Sequence, residues 1–207
     1  MQLFKNIKHY KVDQNTDEWL NLRCGKYTSS NFPKICANMG KAFGTPAIKY
    51  ARKKALEQVT KTLDNSDKFS NSYMERGHEL EPIAIELYER ETFNKVDNGG
   101  FYCNEFLGDS PDGLVGSDGC VEVKSVISNT HWERIEKGGY DTSYKWQIQG
   151  HLLLSNRQWC DFISYCPEFI PRPLYVYRVE RNTEMLEQLK TRLSEFHELV
   201  KSKTKLL

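Results

Sequence analysis

Asp112, Glu122 and Lys124 lie within thirteen residues and are of the types that hold a divalent cation against a phosphate. Ser110-Pro111-Asp112-Gly113 puts proline, an Asx residue and glycine where a tight turn takes them, and alone it reads as a hairpin connection. Further on, Val121-Glu122-Val123-Lys124 alternates apolar and charged residues. On a strand, Glu122 and Lys124 then share one face and Val121 and Val123 the other, a pattern also common in ordinary half-exposed strands. Together the two pieces mean more, because an aspartate in a turn and a glutamate and lysine on the neighbouring strand can converge on one point. Magnesium takes oxygen ligands octahedrally and keeps several waters. Two carboxylates and a backbone carbonyl therefore leave positions for a phosphate oxygen and an attacking water. Lys124 would stabilise charge on the phosphate or favour hydroxide.

Neighbouring segments offer further groups. Arg76-Gly77-His78-Glu79-Leu80-Glu81 supplies carboxylates ahead of the turn, with Glu79 competing with Glu81, and Trp146-Gln147-Ile148-Gln149 supplies amides after the strand. Residues two apart on a helix point in nearly opposite directions, so only one of Gln147 and Gln149 faces the site, and periodicity does not choose between them. Asp109 reads as a turn residue outside any metal shell. His78 and His151 read as packing or hydrogen-bonding residues, because a magnesium site prefers oxygen. The Thr28-Ser29-Ser30 run begins a helix, either as a plain cap with Arg23 a solvated charge or as a phosphate cradle, since guanidinium forks and hydroxyls at a helix start both bind phosphate oxygens. Trp132 and Trp146 are read as core or interface residues rather than base-stacking ones.

The elements that must carry these groups follow from periodicity. Thr45-Pro46 opens a helix as cap and first turn, with Ala47, Ile48, Ala51, Ala55, Leu56 and Val59 on its buried face and Lys49, Arg52, Lys53 and Lys54 on the other. A second helix spans 73–92, burying Leu80, Ala84, Leu87 and Tyr88. From Phe93 the segments FYCNEFLG, DGLVG and GCVEVKSV read as a meander of strands. Thr130-His131-Trp132-Glu133 is a capping box starting a short helix that Gly138-Gly139 ends, and another helix covers 142–154. Strands at 159–165 and 174–179 precede a closing helix with Leu186, Leu189, Leu193, Phe196 and Leu199 on one face. Residues 64–72 and the lysine-bearing tail after 200 read as loose.

A chain of 207 residues with 39% hydrophobic content supplies one sizeable core, so a single domain over 1–207 is expected. Lys+Arg 29 against Asp+Glu 28 gives +1, so attraction to a polyanion must come from local placement of charge. The six cysteines form no CxxC pair and have no histidine at zinc-finger spacing, which fits reduced core thiols in a cytoplasmic protein. The first residues lack a signal peptide's apolar stretch, and Leu152-Leu153-Leu154 is typical of the short apolar runs elsewhere, so no membrane partner is expected.

Four ordered segments, EWLNLRCGKYTSS, RGHELEPIAIELYE, the SPDGLV–VEVKS pair and YKWQIQGHLLLS, span most of 19–165. In them the chain resembles the lambda-exonuclease-like (YqaJ-type) phage recombination nucleases of the PD-(D/E)xK superfamily. The resemblance implies an α/β (α+β) fold with a restriction-endonuclease-like core, a central mixed β-sheet flanked by helices. It implies that Asp112, Glu122 and the Val123 carbonyl bind Mg2+, with Mn2+ a possible substitute, and that Lys124 serves catalysis. The family's GxxxE glutamate falls on Glu81 and its site glutamine on Gln149, while Arg23, Ser30 and Ser110 take the role of holding a terminal 5′ phosphate. The activity implied is 5′ to 3′ digestion of double-stranded DNA ends to mononucleotides, leaving a 3′ overhang for a phage single-strand annealing protein. A homotrimer ring enclosing DNA, in the host cytoplasm, is implied as well; the basic face at Lys49, Arg52, Lys53 and Lys54 would line its channel or be a plain solvated face. The rival readings are a site-specific or structure-specific endonuclease and an inactive DNA-binding module. The second is disfavoured because every charged member of the signature is present, and an iron–sulfur nuclease is disfavoured by the lack of clustered cysteines.

Overall fold

The computed structural model describes residues 2–64 and 72–207; most of the segment read as loose, residues 65–71, lies outside the described residues. The chain runs β1 (Lys8–Tyr10), α1 (Asp17–Arg23), β2 (Tyr27–Thr28), a 3-10 turn (Ser29–Asn31), α2 (Phe32–Cys36), α3 (Thr45–Thr60) and α4 (Ser72–Thr92). The strands β3 (Val96–Asn98), β4 (Phe101–Cys103), β5 (Leu107–Asp109), β6 (Gly113–Val115) and β7 (Gly119–Ser125) follow. The chain then continues through α5 (Ser128–Lys137), a 3-10 turn (Thr142–Tyr144) running into α6 (Lys145–Leu154), β8 (Trp159–Tyr165), β9 (Leu174–Glu180) and α7 (Thr183–Thr204).

The strands form two mixed sheets rather than one. The larger has the order β3-β6-β7-β8-β9, and the smaller β1-β4-β5-β2. In the larger, β7 and β8 pair in parallel from Gly119 opposite Trp159 to Ser125 opposite Tyr165, with α5 and α6 in the crossover. In the smaller, β2 joins β5 in parallel. Ser110, Pro111 and Asp112 carry the chain from β5 of one sheet to β6 of the other, so Asp112 stands where the two sheets diverge.

Strand alternation divides β7 between two cores. Val121 and Val123 pack with Ala84 and Tyr88 of α4, whereas Cys120 packs with Ile148 and Leu152 of α6. Glu122 and Lys124 therefore face α6, and the α6 side chains reach them. A third cluster joins α2 and α3 to α7 through Phe32, Ile35, Ala51, Leu189, Leu193 and Phe196.

Several boundaries and faces differ from expectation. Gly44, not Thr45, occupies the cap of α3, and Leu56 and Val59 are exposed. Lys54 is buried: its Nζ lies 2.6 Å from Glu57 Oε2, which also accepts the Gly25 N–H at 2.9 Å. The buried stripe of α3 is thus rotated towards Tyr50, Lys54 and Glu57, because a paired lysine and glutamate can occupy a core-facing position that an apolar pattern would not claim. α5 starts at Ser128 after Ile127 with no side-chain cap bond, so Thr130 lies within the helix and no capping box forms. α7 runs through Thr204, so the tail after 200 is largely helical, and Val200 rather than Leu199 is fully buried. Trp146 is buried and Trp132 half exposed. All six cysteines are free, and among the described residues no helix is long and apolar enough to cross a membrane.

Candidate active site

A cleft of about 580 Å³ opens where the sheets diverge, and Asp112, Glu122, Val123, Lys124 and Glu81 line it together with Arg23, Ser30 and Ser110. Asp112 is fixed to β7 by its backbone, donating its N–H to the Val121 carbonyl at 3.2 Å, and by its side chain, whose Oδ2 accepts the Val123 N–H at 2.7 Å. The backbone between Glu122 and Lys124 thus holds the aspartate against their strand.

Glu122 is 1% exposed and its two oxygens are divided between partners. Oε1 accepts from Lys124 Nζ and from Gln147 Nε2, the latter at 2.6 Å, and Oε2 accepts from His151 Nε2 at 2.9 Å. Burial works against ionisation, yet Lys124 and then His151 outweigh it and hold the carboxyl down to about 2. Asp112 behaves oppositely: burial, then Glu122 and Glu81, push its carboxyl well above the usual range. Burial and Glu122 raise Glu81 likewise. Lys124 sits 5.1 Å over the Tyr144 ring, and against the cost of burial Glu122 and Asp112 raise its ammonium above the ordinary lysine range.

Gln149 is a correction. Its Nε2 donates to the Glu180 carbonyl at 2.9 Å and its Oε1 accepts the Asn182 N–H at 3.0 Å, so it ties α6 to the β9–α7 junction and does not face the cleft. Gln147, two residues earlier and so on the opposite side of α6, is the glutamine that lines the cleft and bonds Glu122. Asp109 is also corrected: it is a buried residue of β5, not a turn residue, and its Oδ1 accepts from Ser29 Oγ and from His151 Nδ1, the latter at 2.7 Å. Both ring nitrogens of His151 meet carboxylate groups, an arrangement that favours the charged ring. Burial opposes that charge, but Asp109 and Glu122 hold it well above the ordinary histidine range. Glu81 lines the cleft, and the exposed Glu79 does not.

The rest of the cleft lining comes from α1, the end of β5 and the Ser29–Asn31 turn. Arg23 lies 4.7 Å over the Trp19 ring and donates through Nη2 to Ser30 Oγ at 3.3 Å. Trp19 Nε1 donates to Ser110 Oγ at 3.1 Å, and Ser110 donates to the Gly100 carbonyl at 2.7 Å. Alternation at the end of β5 sends Asp109 into the core and leaves Ser110 at the cleft. Ser29, Asp109 and His151 carried no signal beyond being polar residues near site segments, because their partners lie 42 and 80 positions away.

Among the described residues no group of three or more carboxylate, imidazole or thiol side chains is gathered to hold an ion unaided. Two carboxylates with a backbone carbonyl nevertheless suit magnesium, which retains water ligands. The Val123 N–H engages one oxygen of Asp112, and the mutual repulsion of Asp112, Glu122 and Glu81 is what a cation would relieve.

An α/β fold of this topology, with an acidic cleft at the divergence of its strands, belongs to the restriction-endonuclease-like class. Residues 18–158 match the model of the YqaJ-like viral recombinase domain, and the chain belongs to that family. Among solved structures it is similar to an alkaline exonuclease (LHK-Exo) from Laribacter hongkongensis, with 30% identity, a TM-score of 0.82 and coverage of 92% of this chain and 95% of that one. The complex of LHK-Exo with dAMP matches at 32% identity, with the same TM-score and coverage. A phage-related exonuclease from Haemophilus somnus 129PT shares the fold at 18% identity and a TM-score of 0.63, over 87% of this chain and 95% of that one. Among curated proteins none matches.

Proposed function

We propose that this protein is a magnesium-dependent exonuclease that digests double-stranded DNA from 5′ ends and leaves 3′ overhangs for a phage single-strand annealing protein. The observation that carries the reading is one cleft lined both by Asp112, Glu122 and Lys124 and by Arg23, Ser30 and Ser110. LHK-Exo is an alkaline exonuclease with a structure in complex with dAMP, and the likeness to it supports an exonuclease reading of this chain.

Asp112, Glu122 and the Val123 carbonyl would hold the cation. When bound, Mg2+, or Mn2+ in its place, offsets the charge of the phosphate and acidifies water. Gln147 and His151 keep Glu122 in place from α6. Lys124, fully charged and beside Glu122, donates to a non-bridging oxygen of the scissile phosphate as negative charge builds there. Arg23 grips the terminal phosphate with its guanidinium fork, and Ser30 and Ser110 add hydroxyl donors. The functional form is a homotrimer ring around the duplex, closed by heterologous contacts under threefold symmetry.

Digestion of linear and covalently closed duplex by wild type and Lys124→Ala, with and without Mg2+, tests the reading. Wild type should degrade only the linear DNA and only with the cation, and Lys124→Ala should lose at least about 100-fold in rate while melting as wild type does. Cutting of the closed circle, or cleavage in chelator, would overturn it.

A further inference from the structure

An unbroken buried chain of hydrogen bonds joins the turn that seats the terminal phosphate to the carboxylate that seats the cation. Ser29 Oγ donates to Asp109 Oδ1, His151 Nδ1 donates to the same oxygen at 2.7 Å, and His151 Nε2 donates to Glu122 Oε2 at 2.9 Å. The four residues are 3%, 1%, 0% and 1% exposed, so solvent neither competes with nor loosens any link. Ser29 is the chain neighbour of Ser30, and the Ser30 hydroxyl already receives the Arg23 guanidinium.

Packing does not account for these residues. Burying a hydroxyl, an imidazole and two carboxyl groups in one row costs desolvation at every member, and apolar side chains of similar volume are often as stable or more so. Asp109 Oδ2 is buried and makes no hydrogen bond among the described residues, a further cost that a core selected for stability would shed. The backbone is also shaped for the contact. A Cβ on Gly150 would lie 2.7 Å from Phe32 Cδ2 and 3.0 Å from Ser29 Cβ, so the glycine beside His151 lets α6 approach the turn closely enough for His151 and Ser29 to share one oxygen.

We propose that Ser29, Asp109 and His151 are positioning residues that transmit occupancy of the terminal-phosphate pocket to Glu122, making cleavage depend on a 5′ phosphate. The proposal rests on the reading of the cleft as an exonuclease site. A phosphate drawn onto Arg23 and Ser30 immobilises the turn, and the rigid links carry that restraint to the carboxylate 93 positions away in sequence (122 minus 29). A 5′-hydroxyl end leaves the turn without that added restraint and Glu122 less well placed.

Single-turnover cleavage of one duplex sequence bearing either a 5′ phosphate or a 5′ hydroxyl, at saturating Mg2+, measures the coupling as a ratio of rates. Wild type should favour the phosphorylated end, and Ser29→Ala and Asp109→Asn should each lower that ratio about fivefold or more, mainly by slowing the phosphorylated end. Melting curves check folding, and Ser29→Ala, which deletes one hydroxyl, decides the matter should Asp109→Asn unfold. A variant that slows both ends equally, or neither, is merely structural and overturns the proposal while the exonuclease reading stands. A wild type that cuts linear duplex but ignores the end group overturns the proposal and the phosphate pocket together. A wild type that cuts neither end overturns the exonuclease reading itself.

Discussion

Asp112 and Glu122 are neighbours in one cleft with opposite electrostatic fates, and the contrast predicts how the protein responds to a cation. Glu122 has three donors, whereas Asp112 has one backbone N–H and two carboxylates nearby. Because the folded-state pKa of Asp112 is raised above its ordinary 3.8, its contribution to stability is complete below that value and is lost as pH rises through the raised one. At neutral pH the cation-free protein therefore bears a cost that Mg2+ should remove. At about a hundredfold excess over its dissociation constant the cation adds roughly 2.7 kcal/mol, and for a chain of this size that shifts Tm by roughly 5–10 °C. The shift should fade as the buffer is acidified through the raised Asp112 pKa, because a proton then competes for the same oxygen. Asp112→Asn should melt no lower than wild type without Mg2+ and show no shift with it. A variant that kept the full shift in a calorimetric scan would remove Asp112 from the cation site.

At the scale of elements, much was legible because strands and helices repeat. The alternation of Val121, Glu122, Val123 and Lys124 identified both faces of β7, and the 3.6-residue stripe identified Ala84 and Tyr88 of α4. Which glutamine of α6 faces the site was not legible, because Gln147 and Gln149 both find hydrogen bonds and only the neighbour on each side separates them. Lys54 was misplaced for a related reason: its partner Glu57 looks like a surface residue until the Gly25 N–H arrives from another part of the chain. The sequence pattern does not separate the two sheets, because short strands carry no mark of which sheet they join. Gly150 shows the same limit, since its need for close approach is set by Phe32 and Ser29. Gly150→Ala should cost about 1–3 kcal/mol by overpacking, even though alanine favours the helix by roughly 1 kcal/mol. Chemical denaturation measures this directly. A variant more stable than wild type would mean that α6 yields easily and that its closeness to the turn is not enforced.

On the scale of the molecule, the near-zero net charge directs attention to where the cations stand. Lys34, Lys49, Arg52 and Lys53 border a groove of about 610 Å³ on α2 and α3. Hydrogen bonds link the rim of this groove to residues of the cleft: Lys34 Nζ donates to Asn31 Oδ1 at 2.8 Å, Asn31 Nδ2 donates to Ser30 Oγ at 3.4 Å, and the Tyr50 hydroxyl accepts the Thr28 N–H at 3.1 Å. A DNA strand whose end lies at Ser30 would find its next phosphates beside this basic rim. Each lysine or arginine that neutralises a phosphate of B-form DNA contributes about 0.9 to the slope of log affinity against log salt. Lys49→Ala combined with Arg52→Ala should therefore reduce the slope by roughly 2 and weaken binding to all sequences alike. Lys54→Met is the internal control, because a lysine buried against Glu57 reaches no phosphate and its loss should leave the slope alone while lowering stability. Fluorescence anisotropy of duplex binding between 50 and about 200 mM salt gives all three slopes. An unchanged slope in the double variant would show that the duplex leaves the cleft by another route and that the rim of α3 is only a solvated face.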